Sequence, residues 1–112
     1  MDYKRGVPPV VNDEVSVEML AEAAERALGA GAVVPTQQSL GGEDFAWYLE
    51  SIPGAFARLG TRSPGGLTYD IHQGTFDVDE KAIAMGVRVM ATTALTALWE
   101  VGTLDSVTTA MA

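Results

Sequence analysis

A long apolar stripe near the C-terminal end constrains this chain more than any other feature. Ile83, Val87, Met90, Ala94, Leu98 and Val101 step by three and four residues, which sets them along one face of an α-helix. Asp77 and Glu80 have capping-box spacing at its start, with Asp79 as a competing cap, and Gly102 closes the pattern. A stripe of this kind needs an apolar surface of similar length to cover it. A chain of 112 residues has room for one modest core, and the remaining sequence offers little to pack on the stripe. The packing therefore suggests a fragment of a larger fold.

The segments before the stripe alternate in type. Residues 1–11 carry Pro8 and Pro9 in tandem, so they form an extended arm and neither a helix nor a central strand. A helix follows, capped by Asn12 or Asp13, with Val15, Met19, Leu20, Ala23, Ala24, Ala27 and Leu28 on one face and Gly29 and Gly31 at its end. Ala32 to Val34 reads as a short strand closed by Pro35. Glu43 and Asp44 open a short helix reaching about Leu49, and two acids in a first turn suit its positive end. Ala55 to Leu59 and Leu67 to Ile71 read as two further strands, separated by a Gly-, Ser-, Thr- and Pro-rich loop. The expected class is α/β: a short mixed sheet covered by amphipathic helices and ending in one long helix. Thr103 to Ala112 is small and polar and reads as a frayed tail.

Composition excludes several functions. Fifteen acidic residues against seven basic ones give a net charge of −8, whereas binding to nucleic acid or an anionic membrane needs clustered Lys and Arg. With no cysteine, thiol nucleophiles, disulfides and zinc–cysteine sites are out. No uninterrupted apolar run approaches the ~18 residues of a membrane span, and the first residues do not read as a targeting signal. The expectation is a cytoplasmic protein with neither nucleic-acid nor membrane partners.

Two places could carry chemistry. His72, the one histidine, follows the apolar 67–71 stretch and precedes Gln73-Gly74-Thr75. Imidazole is a common ligand for zinc and manganese, but a hydrolytic zinc centre takes three protein ligands. On spacing alone, a surface histidine is the commoner explanation. Asp70, two residues away, would share a side with His72 on a strand, leaving a minimal Asp70–His72 site under-coordinated. The second place is Gly41-Gly42 before Glu43-Asp44-Phe45, where two glycines let backbone amides approach an anion such as a substrate carboxylate. There the plainer alternative is a helix start whose amides Glu43 and Asp44 already satisfy. Trp47, Tyr48 and Trp99 read as core and rim aromatics, and Arg58 and Arg62 as solvated side chains. A hydroxyl nucleophile has no base in range except His72.

Four words in fixed order, Tyr3 to Asp13 (YKRGVPPVVND), Gly41 to Phe45 (GGEDF), Ile52 to Gly60 (IPGAFARLG) and Ile71 to Glu80 (IHQGTFDVDE), resemble the C-terminal part of the zinc- or manganese-dependent amidohydrolase and peptidase family. That family includes hippurate hydrolase, N-acyl-amino-acid amidohydrolases and auxin-conjugate hydrolases. The resemblance covers about residues 3 to 100. It implies a partial three-layer catalytic domain over residues 12–102, preceded in 1–11 by the remnant of a small lid domain and its linker. It further implies that His72 is the last ligand of a two-metal site holding zinc or manganese, and that Gly41 and Gly42 form a substrate-facing loop. The family usually has a small residue and proline after the histidine, where this chain has Gln73 and Gly74.

By the same resemblance the intact enzyme hydrolyses N-acyl amino acids or similar small amides and dimerises through its lid domain. The other metal ligands and the general-base glutamate lie upstream in full-length relatives, so no catalytic residue is assigned here and the isolated chain is expected to be inactive. The alternative is a non-catalytic α/β remnant or partner-binding module.

Overall fold

The computed structural model describes residues 6–110, with side chains as far as residue 100. Tyr3, Lys4 and Arg5 of the arm, Val101 of the stripe and the side chains of the tail lie outside the described residues. Three helices form: α1 (Glu14–Leu28), α2 (Phe45–Leu49) and α3 (Lys81–Ala110).

The helix starts follow their local chemistry. Asp13 caps α1, its carboxylate accepting from the Ser16 backbone N–H at 2.9 Å and from the Ser16 hydroxyl at 2.8 Å. Gly29, at φ +102°, ends α1 by donating its N–H to the Glu25 carbonyl at 2.7 Å; a side chain at that φ would be strained. Of the two candidate caps before the long helix, Asp79 takes the role, accepting from the Lys81 N–H at 3.0 Å. The helix then continues through Gly102, the expected stop, to Ala110.

The expected mixed sheet does not form. Among the described residues there is no strand, so the α/β class and the short sheet are corrected to a helical chain with extended connections. The reason lies in partners, since a strand needs a second backbone about 4.8 Å away to complete its ladder. Ala32 to Val34 lies exposed beside Pro35. Ala55 to Leu59 is held by a side chain in place of a neighbouring strand: Phe56 donates its N–H to Asn12 Oδ1 at 2.8 Å, and Asn12 Nδ2 donates to the Phe56 carbonyl at 3.0 Å. The adjoining Asp13 N–H donates to the Gly54 carbonyl at 2.9 Å. Leu67 to Ile71 is exposed apart from a half-buried Tyr69 and runs into a turn.

The core is correspondingly thin. Among the described residues the buried apolar ones are Ala23, Ala27, Ala46 and Ala82, and no large side chain is fully buried. α1 and α3 pack together, and Arg88 of α3 donates to the Ala27 carbonyl at the C-terminal end of α1. On α1 the stripe read from the sequence does turn inward, Val15 excepted.

On α3 it does not. The residues that lose solvent are Ala82, Gly86, Val89, Thr92, Thr93, Thr96 and Ala97, a face of mostly small side chains. At 100° per residue the stripe of Ile83, Val87, Met90, Ala94 and Leu98 lies roughly a third of a turn away, and it faces solvent. The aromatics expected in the core and rim are also exposed: Trp47, Tyr48 and Trp99 are each more than half accessible.

The helix Lys81–Glu100 is long and apolar enough to cross a membrane by length and composition. Counting uninterrupted apolar residues misses it because Arg88, Thr92, Thr93 and Thr96 break the run.

Candidate functional site

His72 sits in a tight turn over residues 71–75 that joins two arms of the chain. The turn closes where the Phe76 N–H donates to the Gln73 carbonyl at 3.1 Å. His72 has φ +68°, the one positive value among the described non-glycine residues. That left-handed backbone is disfavoured for residues with a Cβ, although histidine tolerates it better than most. The imidazole is exposed. The strand alternation that would bring Asp70 and His72 to one side is absent, because residues 67–71 are not a strand.

The two arms line an open cleft of about 210 Å³ between Thr61–Tyr69 and Phe76–Asp79. Arg62 donates to the Thr68 hydroxyl at 2.9 Å along one wall. The Ser63 hydroxyl donates to Asp79 at 3.0 Å and joins the other. Asp79 is held below the ordinary carboxylate range, first by the Lys81 backbone N–H and then by the Ser63 hydroxyl. The cleft is smaller than the ~300–1,000 Å³ usual for a small-molecule site.

The Gly41-Gly42 bend lies on the arm, where a Cβ on Gly42 would stand 3.8 Å from Val7, an ordinary contact. The Gly41 N–H already donates to the Ser39 hydroxyl at 3.2 Å, and the Phe45 N–H donates to the Glu43 carboxylate at 3.2 Å. Two amides of the proposed anion-facing bend therefore have acceptors within the chain. Glu43 and Asp44 add negative charge beside them, and α2, with five residues, is too short to contribute a useful dipole. The arginines are engaged as well: Arg58 donates to the Gln37 carbonyl at 3.3 Å, so it ties loops together.

A metal centre is not complete in this set. Among the described residues no group of three or more His, Asp or Glu side chains is placed to hold an ion, and a catalytic centre needs that many protein donors. His72 offers one donor. Sequence reasoning missed Asn12 as a clamp on Phe56, because an Asn beside a helix start is usually read as a cap. It also missed the Ser63–Asp79 tie, whose partners are sixteen residues apart and carry no local signal.

Residues 1–96 match peptidase family M20/M25/M40. Among similar proteins, one of Rhodococcus jostii (strain RHA1), named as a glutamate–cysteine ligase 2-3, is 49% identical over 90 residues, covering 80% of this chain and 11% of that protein. A match over so small a share does not place the ligase chemistry in the matched part. The hydrolase named sll0100 of Synechocystis sp. (strain ATCC 27184 / PCC 6803 / Kazusa) is 43% identical over 90 residues, covering 78% of this chain and 23% of that protein. The N-acetyl-L-cysteine deacetylase of Bacillus subtilis (strain 168) is 42% identical over 81 residues, covering 72% and 18%. Other relatives carry the names amidohydrolase and IAA-amino acid hydrolase. No solved structure matches. The chain thus spans between about a tenth and a quarter of the length of these relatives. With the family match running from residue 1 to 96, and hydrolases of amide bonds recurring among the relatives, this chain belongs to peptidase family M20/M25/M40.

Proposed function

We propose that this chain is the C-terminal segment of a metal-dependent amidohydrolase that cleaves the amide bond of N-acyl amino acids or similar small amides. The observation that carries the reading is the match to a hydrolase family over residues 1–96, with an N-acetyl-L-cysteine deacetylase 42% identical over 81 residues. In this reading His72 is one donor to a site of zinc or manganese, two ions in the intact enzyme, and the remaining donors come from polypeptide beyond this chain. The exposed His72 supports that role, since it is free of a hydrophobic enclosure. In the same reading Gly41 and Gly42 contribute a backbone bend that faces the substrate. No side chain of this chain is assigned as general base. The intact enzyme, by resemblance, works as a homodimer.

Two measurements test the proposal. Titration calorimetry with zinc or manganese gives a weak heat for the 112-residue chain that His72→Ala abolishes; equal heats for both proteins overturn the assignment. Hydrolysis of N-acetylcysteine and other N-acyl amino acids by the isolated chain stays at the rate of free metal. Turnover above that rate means this segment holds a complete site, and the proposal fails.

A further inference from the structure

The cleft between Thr61–Tyr69 and Phe76–Asp79 has fixed walls and unpaired charges. Ser63-Pro64-Gly65-Gly66 is a β-turn: the Gly66 N–H donates to the Ser63 carbonyl at 2.8 Å, and Gly65 has φ +73°. A type II turn with proline in its second position requires such a φ in its third. The turn folds the first arm back, so that Arg62 meets Thr68. Two bonds then fasten that arm to the second. The Asp79 N–H donates to the Thr61 carbonyl at 2.7 Å, and the Ser63 hydroxyl donates to the Asp79 carboxylate at 3.0 Å. A cleft held in this way loses less on binding than one that must first be ordered.

Neither sign of charge in the cleft is balanced by an ion pair. Among the described residues the one ion pair is Arg26 with Glu22, on α1. Arg62 gives one N–H to the neutral Thr68 hydroxyl, which leaves its charge unmet and further donors in hand. On the second arm, Asp77 has one carboxylate oxygen on the Val78 N–H and the other without a partner among the described residues. Asp79 has both of its oxygens engaged, on the Ser63 hydroxyl and the Lys81 N–H.

These charges sort the ligands the cleft can hold. A simple anion meets Asp77 and Asp79 on a chain of net charge −8. A metal ion meets Arg62 and finds no group of three donors among the described residues. A small molecule carrying both signs a few bonds apart suits both walls. The volume of about 210 Å³ holds about seven non-hydrogen atoms at the ~30 Å³ that a water takes in the liquid. That is the size of a small α-amino acid, and Leu67 and Phe76 supply apolar lining for its side chain.

We propose that this cleft binds a free α-amino acid with a small side chain, its carboxylate on Arg62 and its ammonium on Asp77. The His72 turn joins the two walls, but occupancy requires neither a metal nor cleavage of an amide, so the inference stands apart from the proposed reaction.

The test is a titration of the 112-residue chain with L-serine, followed by nitrogen–proton NMR spectra. Backbone amide signals within 61–69 and 76–79 should shift and saturate in the millimolar range, as two exposed ion pairs allow. N-acetyl-L-serine lacks the ammonium and L-serinamide lacks the carboxylate; each should bind about threefold to fivefold more weakly. Arg62→Gln and Asp77→Asn should each weaken L-serine by the same factor. The analogues separate contact from folding: Arg62→Gln should leave L-serinamide binding unchanged, and Asp77→Asn should leave N-acetyl-L-serine binding unchanged. Glu18→Gln on α1 should alter none of these affinities. Shifts that do not saturate, that spread evenly over the chain, or that either analogue reproduces at the same concentration overturn the proposal. So does L-serine binding that ignores both cleft substitutions. Saturable L-serine binding without a His72-dependent metal heat upholds the cleft and strikes only the metal assignment.

Discussion

Asp13 is the residue whose local chemistry is clearest. Its carboxylate holds the Ser16 backbone N–H and hydroxyl, and those bonds lower its pKa from 3.8, the backbone bond contributing most. A group with a depressed folded pKa stabilises the fold above its unfolded value and loses that contribution as pH falls through the folded value. Helix content followed by circular dichroism should therefore decline as pH drops below 3.8. Asp13→Asn, which caps without titrating, should decline less in that range. Identical acid profiles for the two proteins would mean that the cap does not set the transition.

His72 carries a separate, structural prediction. Left-handed backbone costs a residue with a Cβ about 1 kcal/mol or more, which glycine avoids. His72→Gly should thus leave thermal stability unchanged or slightly raised, whereas the β-branched His72→Val should lower it. Both lose the metal-dependent heat if the imidazole is a ligand. Thermal melts and calorimetry on the same two variants separate strain from ligation.

At the scale of elements, the pairing of α1 with α3 is governed by small residues. Ala23 and Ala27 of α1 and Ala82 of α3 are all buried, so lengthening one of these side chains overpacks its surroundings. Ala27→Leu should destabilise by about 1–3 kcal/mol, read from denaturant midpoints. Gly86 behaves oppositely. A Cβ there would approach Leu59 Cδ2 at 3.1 Å, but Leu59 is 47% exposed and its flexible end can give way. The helix-propensity gain of about 1 kcal/mol then dominates, and Gly86→Ala should raise the melting temperature. A fall would show Leu59 to be held more firmly than its exposure implies.

The helices were legible because their signals are local. Asp13, Gly29 and the 3.6-residue period of α1 act within a few positions of themselves. The strands were not, since a strand is completed by a backbone elsewhere in sequence, and here residues 55–59 found only the side chain of Asn12. The stripe of α3 was legible as a stripe, but which face loses solvent was not: the buried side is the one of small residues around Ala82 and Thr96, where bulk is least.

For the whole molecule, exposed area is the decisive quantity. The unfolded chain exposes about 17,000 Å², so folding to 9611 Å² buries about two thirds of what a compact chain of this mass would bury. Because the denaturant m value follows the area exposed on unfolding, urea unfolding of the isolated chain should show an m value about two thirds of that typical for its length. A full-sized m value would mean that the chain is more compact in solution than its described fold. The family was legible at this scale from four ordered words, while closure of a metal site was not, because three or more donors must converge and no such group stands among the described residues.

By itself the sequence determined where helices start, the acidic balance, the family likeness and the single nitrogen ligand available to a metal. These follow from residue identity and short-range spacing, which no partner can alter. Only the tertiary structure decided that the extended segments do not pair, that the bulkiest apolar face looks outward, and that His72 stands alone on its turn. Each of those depends on what polypeptide lies within a few ångströms, and burial is a property of neighbours.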